Sequence, residues 1–253
     1  MLKLDFAGQR VWVTGAAQGI GAAIAAAFAE AGAEVIELDK QFAGDERLDG
    51  RRRIALDIAD PAQVGELCRR LEVEEALPDV LINAAGVLRQ GHADALSLED
   101  WRLCFAVNVD GPFHLLRELL PHFKRRRAGA IVNIASNSAH VPRLGLAAYS
   151  ASKAAMATMS RIVALELAPY GVRCNLVSPG STDTPMLRGM WADDSGEART
   201  IAGRPESYWV GIPLGKLARP DDVAASVLFL ASPLAGHLTM QDLVVDGGAT
   251  LGA

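Results

Sequence analysis

A tyrosine and a lysine stand four residues apart in Ala147-Ala-Tyr149-Ser-Ala-Ser-Lys153. On a helix that spacing puts both side chains on one face, with Cβ atoms ~5–6 Å apart. A free phenol titrates near ~10, and each unit of depression needs ~1.4 kcal/mol of preferential stabilisation of the phenolate. An ammonium beside it, in a pocket shielded from water, supplies several times that. The expectation is that Lys153 lowers the Tyr149 pKa and turns the phenol into a proton acceptor for a hydroxyl group. Tyr-x-x-x-Lys also occurs by chance on many helices, so the pair gains weight only from what surrounds it.

Two further residues agree with it. Ser136 lies just past the apolar run Ala130-Ile-Val-Asn-Ile134, and Tyr149 begins the helix that follows, so both should face one crevice. Asn108 sits in Ala106-Val-Asn108-Val, where an asparagine is penalised unless its amide bonds something specific. Ser136, Tyr149, Lys153 and Asn108 are therefore the candidate catalytic set.

A second group suits a dinucleotide. The first strand empties into Thr14-Gly15-Ala-Ala-Gln18-Gly19-Ile20-Gly21, and a helix begins at once. Glycines let backbone N–H groups approach a pyrophosphate, and the helix N-terminus adds favourable partial charge. Asp39 ends the second strand, where a carboxylate accepts hydrogen bonds from a ribose. A 2′-phosphate there would meet that carboxylate at a cost on the order of several kcal/mol at an effective dielectric of ~20. Lys40 could soften this but can swing to solvent, and Gln18 in the turn is neutral, so NAD is favoured over NADP. Asp57, with Ile58 beside it, ends the third strand and could bond the adenine amine; capping of its own turn explains it nearly as well. Asn83-Ala-Ala-Gly86 follows the fourth strand. Pro179-Gly180, with Thr182 and Thr184 beyond the sixth, could hold the nicotinamide amide.

The elements that must position these residues alternate along all 253 positions. Strand patterns cover Val11–Thr14, Glu34–Leu38, Arg53–Leu56, Val80–Ile82, Ala130–Ile134, Val172–Val177 and Leu243–Val245. Helical patterns cover Gly19–Ala31, Pro61–Glu75, Leu98–Arg126 in two joined pieces, Ala147–Ala168 and Asp221–Leu230. Continuous apolar strands between helices predict an α/β fold, a doubly wound, Rossmann-like parallel sheet of about seven strands with helices on both faces. No linker divides the chain, so residues 1–253 read as one domain. The segment 184–211 is polar, weakly periodic and too long for an ordinary connection, which suits a substrate-covering flap.

Composition narrows the partners. A net charge of −5 gives no reason to expect nucleic acid, and the runs Arg51–Arg53 and Lys124–Arg127 read as solvated element ends. Cys68, Cys104 and Cys174 are odd in number and lack ligand spacing, so neither a disulfide framework nor a metal site is expected. No leader and no apolar run of ~18 residues is found, so a soluble, cytoplasmic protein without a membrane partner is expected.

Taken together, Thr14-Gly-x-x-x-Gly-Ile-Gly21, Asn83-Ala-Ala-Gly86, Asn108, Ser136, Tyr149-x-x-x-Lys153 and Pro179-Gly180 resemble the short-chain dehydrogenase/reductase family over essentially the whole chain. Ala84 stands where that family more often has asparagine. The resemblance implies hydride transfer between an alcohol and a nicotinamide cofactor. It also implies that Lys153 holds the nicotinamide ribose and that Asn108 positions a water relaying the proton. Trp101, Phe105-Ala-Val-Asn108, Ser178–Thr184, Gly211–Lys216 and Gln241–Gly248 are similar to a narrower group of the family. Members of that group use NAD to oxidise a cyclohexadiene diol carboxylate on the way to catecholate siderophores, usually as homotetramers. Such a substrate needs a cation, and Arg89 and Arg143 both project from loops bordering the crevice; either could equally be a surface arginine. His140 is a candidate polar contact, with an ordinary loop histidine as the alternative, and Met186 is placed on the flap. Another cyclic alcohol or a 3-oxoacyl thioester is the rival substrate class, and a nucleotide-sensing scaffold without chemistry is the rival function.

Overall fold

The structure, a computed structural model, describes residues 4–48 and 50–252. Its strands are β1 (Arg10–Thr14), β2 (Glu34–Asp39), β3 (Asp45–Leu48), β4 (Arg51–Ala55), β5 (Val80–Asn83), β6 (Ala130–Ile134), β7 (Arg173–Pro179), β8 (Gly203–Arg204), β9 (Trp209–Val210) and β10 (Asp242–Val245). Its helices are α1 (Gly19–Glu30), α2 (Pro61–Val73), α3 (Leu98–Phe105), α4 (Gly111–Arg126), α5 (Ala147–Leu167), α6 (Pro185–Arg188), α7 (Gly196–Ala202) and α8 (Pro220–Ala231).

The main sheet runs β10-β7-β6-β5-β1-β2-β4-β3. All neighbours are parallel except β3, which pairs antiparallel with β4. The chain winds outward from β1 through β2 to β4, then returns to β5 and winds outward the other way. That reversal opens a crevice at the carboxyl ends of β1 and β5, where ligands bind in such sheets.

Alternation along the strands sorts side chains into two layers. Trp12, Leu81 and Ile131 point to the side covered by α2, α4 and α5, while Val11, Val13, Val80, Ile82 and Val132 point to the side of α1 and α8. Each such fully buried side chain contributes roughly 1.5–3 kcal/mol. The apolar runs are continuous because both faces of the sheet are covered.

Two features differ from the sequence expectation. No apolar pattern marks Asp45–Leu48, yet β3 forms there, and all four residues are exposed. Charge drives it: Asp45 pairs with Arg52 across the ladder at 2.6 Å and with Arg70 of α2 at 3.2 Å. Arg51–Arg53, expected as a solvated end, lies inside β4. Arg51 and Arg53 flank the buried carboxylate of Glu37 on β2, at 2.6 and 2.8 Å. A charge buried in a sheet persists only when paired in this way.

The Leu98–Arg126 pattern does divide into two helices. Their join, Ala106–Asp110, is one turn of π-helix containing Asn108. Such turns are rare and concentrate at functional sites. The segment 184–211 holds α6, α7 and the β8–β9 hairpin. Leu187, Trp191 and Ile201 tie it to the body by packing on Ile212, Leu217 and Ala249. Among the described residues no helix is long and apolar enough to cross a membrane.

Candidate active site

One pocket runs along the carboxyl ends of the strands, and its floor is the β1–α1 turn. Gly15 has φ +68°, and a Cβ there would lie 2.6 Å from Cα of Ala85. A Cβ on Gly21 would come within 2.1 Å of the Gly15 carbonyl oxygen. Neither position tolerates a side chain, so the backbone itself forms the wall at the start of α1. Gln18, Gly19 and Ile20 complete it. This bare backbone at a helix N-terminus fits a pyrophosphate.

Asp39 lies at one end of the pocket with its carboxylate held from below. It accepts from Ala17 N at 3.1 Å and Gln41 N at 2.9 Å, leaving lone pairs for ribose hydroxyls. Arg51 and Arg53 are engaged with Glu37, and Lys40, which follows Asp39, is the cation that lines this end. With the Asp39 carboxylate anchored, the residues present fit NAD better than NADP. Asp57 and Ile58 also line this end, although one Asp57 oxygen accepts from Ala59 N at 3.0 Å in its own turn. Gly86, Pro179, Gly180, Thr182 and Thr184 line the other half. Thr184 also caps α6 by accepting from Leu187 N.

Ser136, Tyr149 and Lys153 meet at the centre. The Ser136 hydroxyl accepts from Ser138 N at 3.1 Å and is hydrogen-bonded to the Tyr149 side chain. Lys153 is almost fully buried, donates from Nζ to the Ile134 carbonyl at 2.7 Å and stands 5.9 Å from the Tyr149 ring centroid. Burial disfavours its ammonium and brings it from 10.5 down to about 8. Burial also pushes the Tyr149 phenol up, against the Ser136 hydrogen bond and the charge of Arg143. The expected lysine-driven depression of Tyr149 is thus absent. Burial dominates both groups, raising the phenol and lowering the ammonium.

Arg143 enters the same pocket from the loop after β6. Its NH1 donates to Asn137 Oδ1 at 2.6 Å and to Ser138 Oγ at 3.2 Å. Asn137 in turn donates to Asp246 at 3.2 Å. Burial pushes the Asp246 carboxyl up, but hydrogen bonds from Asn137, Thr250 and the Gly248 N–H outweigh it and hold the group below its ordinary range. Burial lowers the Arg143 guanidinium. Among the described residues it has no ion pair, and the Asp246 carboxylate beyond Asn137 acts on its charge through space.

The comparisons with known proteins agree with this geometry. Residues 15–250 match the family model described as enoyl-(acyl carrier protein) reductase. The chain is 53% identical over 250 residues to 2,3-dihydro-2,3-dihydroxybenzoate dehydrogenase of Escherichia coli, covering 99% of this chain and 100% of that one. It is 45% identical to the Bacillus subtilis protein of the same name, covering 97% of each. A solved structure described as an NAD(P)-dependent gluconate 5-dehydrogenase of Beutenbergia cavernae with bound NADP superposes with a TM-score of 0.87 at 32% identity, covering 99% of this chain and 100% of that one. The chain belongs to the short-chain dehydrogenase/reductase family.

Four predicted residues sit differently from expectation within this short-chain dehydrogenase/reductase. Arg89 turns outward, pairing with Asp100 at 2.9 Å, and does not line the pocket. His140 lies beneath the site, against Asp242 at 3.1 Å and Ser178 at 3.3 Å. Asn83 is buried and donates across the sheet to Asn133 at 2.7 Å, leaving Ala84, Ala85 and Gly86 to face the pocket. Asn108 is fully buried, and both amide hydrogens are used, on the Val87 carbonyl and Ser152 Oγ, each at 2.9 Å. Its Oδ1 accepts from Val87 N at 2.9 Å, so the side chain braces the Gly86–Val87 loop against α5.

Other contributors carry weaker sequence signals. Asn137 and Ser138 follow Ser136 directly, and a run of small polar residues past an apolar strand is the only hint. Trp209 is the other, one of three aromatic side chains in the flap with Trp191 and Tyr208; it lines the pocket, as Met186 does.

Proposed function

We propose that this protein oxidises 2,3-dihydro-2,3-dihydroxybenzoate to 2,3-dihydroxybenzoate with NAD, in the synthesis of a catecholate siderophore. The observation that carries the reading is the half-buried Arg143 guanidinium, without an ion pair among the described residues, in one pocket with Ser136, Tyr149 and Lys153. It gives a dehydrogenase centre a place for a carboxylate. The names of the relatives point the same way.

Gly15 to Gly21, Asp39, Asp57 and the Pro179–Thr184 segment would hold NAD, which would supply the hydride acceptor. The chain does the rest. Ser136 donates a hydrogen bond to the reacting oxygen and fixes its position. The Tyr149–Lys153 pair, one proton short of fully protonated, takes the hydroxyl proton. Lys153 would also hold the nicotinamide ribose, as the family resemblance implies. Arg143 binds the ring carboxylate through parallel N–H bonds, turning the correct carbinol toward Tyr149. Asn108 holds the Gly86–Val87 wall and the start of α5 in place. Loss of hydride and proton leaves a ring ketone that enolises to the aromatic catechol, and the gain in aromaticity drives the oxidation. Met186 and the 184–211 segment cover the substrate.

The protein acts as a cytoplasmic homotetramer in this reading. Support comes from exposed apolar side chains on α4 and α5, among them Phe113, Ile162 and Leu165, and from three buried free thiols.

A steady-state assay settles the reaction: appearance of reduced nicotinamide with the dihydrodiol acid, NAD against NADP. NAD-dependent turnover is expected. Equal or better turnover of neutral cyclic alcohols or 3-oxoacyl thioesters would refute the substrate assignment.

A further inference from the structure

The β8–β9 hairpin carries Arg204 and Trp209 as a cross-strand pair. Its neck is built for one position: a Cβ on Gly203 would lie 2.5 Å from Gly211 N, and Ile212 N donates to the Ile201 carbonyl at 2.8 Å. The indole is held between two cations. The Arg204 guanidinium carbon lies 4.3 Å from the Trp209 ring centroid, and that of Arg143 lies 5.1 Å from it. Arg143 comes from the loop after β6, so the stack joins the flap to the wall of the active site. Neither guanidinium has an ion pair among the described residues.

The indole N–H is the second observation. It is fully buried and has no hydrogen-bond partner. Buried indole N–H groups ordinarily find one, and two others here do: Trp12 donates to the Ala76 carbonyl at 3.1 Å and Trp191 to Thr200 Oγ1 at 3.2 Å. An unpaired donor on a pocket-lining ring, flanked by two cations, describes a site that an anionic acceptor would complete.

We propose that Trp209 is a specificity-determining residue: its indole N–H and the Arg143 guanidinium form a carboxylate subsite, with Arg204 as outer charge, that selects anionic ring substrates over neutral ones. This rests on the reading of the substrate as a ring carboxylate, and it adds a flap residue that sequence motifs do not mark.

The test uses Trp209→Phe, which keeps a ring for the arginines to stack on and deletes the N–H, and Arg204→Met, which keeps the indole and removes the outer charge. Titration calorimetry of the NAD-loaded protein compares benzoate with its neutral isostere benzamide. Trp209→Phe should weaken benzoate roughly tenfold, as loss of a hydrogen bond to a charged group does, and leave benzamide unchanged. Arg204→Met should weaken benzoate by a smaller factor, again sparing benzamide. In turnover, Trp209→Phe should raise KM for the dihydrodiol acid with little change in kcat. Wild-type benzoate affinity in both variants, or equal loss of benzoate and benzamide, would overturn the subsite. Benzoate selectivity in a wild-type protein that fails to oxidise the dihydrodiol acid would uphold the subsite and reject the reaction instead.

Discussion

Nζ of Lys153 stands 5.9 Å from the Tyr149 ring centroid and gives its hydrogen bond to the Ile134 carbonyl. The two groups share a face of α5, yet the lysine does not act as a fixed positive charge under the phenol. Burial brings its ammonium down to about 8. Turnover in the oxidising direction should therefore rise with pH through the region near 8, as the pair becomes able to accept a proton. A kcat profile measured from pH 6 to 10 checks this; a flat profile would reject it. Stability carries the same sign. The unfolded lysine titrates near 10.5, so between about 8 and 10.5 the unfolded chain binds more protons and the stability contribution of Lys153 rises with pH. The melting temperature of wild type relative to Lys153→Met should rise across that window, the difference cancelling the other titrating groups.

Tyr149→Phe removes the oxygen that meets the substrate and leaves the pocket floor untouched. Loss of a general base lowers turnover by about 10²–10⁴, whereas NAD affinity, set by the Gly15–Gly21 turn and Asp39, should stay within about twofold. Stopped-flow turnover and equilibrium NAD titration separate the two; substantial residual activity would place the proton acceptor elsewhere.

Asp39 should decide between cofactors. Its carboxylate is anchored by two backbone N–H groups and cannot retreat from a 2′-phosphate. Two like charges at ~4 Å repel by about 4 kcal/mol at an effective dielectric of 20. Asp39→Ser should raise kcat/KM for NADP by at least roughly tenfold and lower it for NAD. An unchanged NAD/NADP ratio would show that another residue discriminates.

The sequence alone made the seven parallel strands and most of the pocket legible, because both depend on local patterns. Continuous apolar runs mark strands covered on two faces, and glycine after a strand marks close backbone approach. What it hid depends on pairing at a distance. β3 is held by Asp45 reaching Arg52 and Arg70, a match of charges that no periodicity records. Arg89 and Arg143 look alike in sequence, and only Asp100 beside the first and its absence beside the second tell them apart. Trp209 reaches the pocket because a hairpin with a two-glycine neck turns it inward. The Tyr149–Lys153 spacing was legible, but the direction of their electrostatics was not, since burial acts on both groups and spacing does not report it.

Arg143 and Arg89 offer a paired experiment. Arg143→Met removes the guanidinium held by Asn137 and Ser138. Losing a charge-assisted bidentate contact should raise KM for the dihydrodiol acid by about 10²-fold, with a smaller fall in kcat. Arg143→Lys should recover little, since an ammonium cannot reproduce the fork. Arg89→Met should move KM by less than about twofold, because that side chain is already paired with Asp100 at the surface. The reverse ranking would reassign the carboxylate site.

Gly86 faces the space between Asn108 and Lys153. A Cβ built there would lie 3.3 Å from Asn108 Oδ1 and 3.4 Å from Lys153 Nζ. Both neighbours are tied down, Asn108 by Val87 and Ser152, Lys153 by the Ile134 carbonyl, so neither gives way freely. Gly86→Ala should therefore push Nζ by a few tenths of an ångström and crowd the route by which a proton leaves the Tyr149–Lys153 pair. The expected result is a fall in kcat of about tenfold, with folding intact and KM for the dihydrodiol acid unchanged, because the added methyl meets Asn108 and Lys153 and neither Arg143 nor Trp209. Displacement of a positioned group by a fraction of an ångström is enough for such losses. Should the variant instead lose NAD affinity while keeping kcat, Gly86 would serve the cofactor wall alone, and proton transfer would not use the space it keeps open.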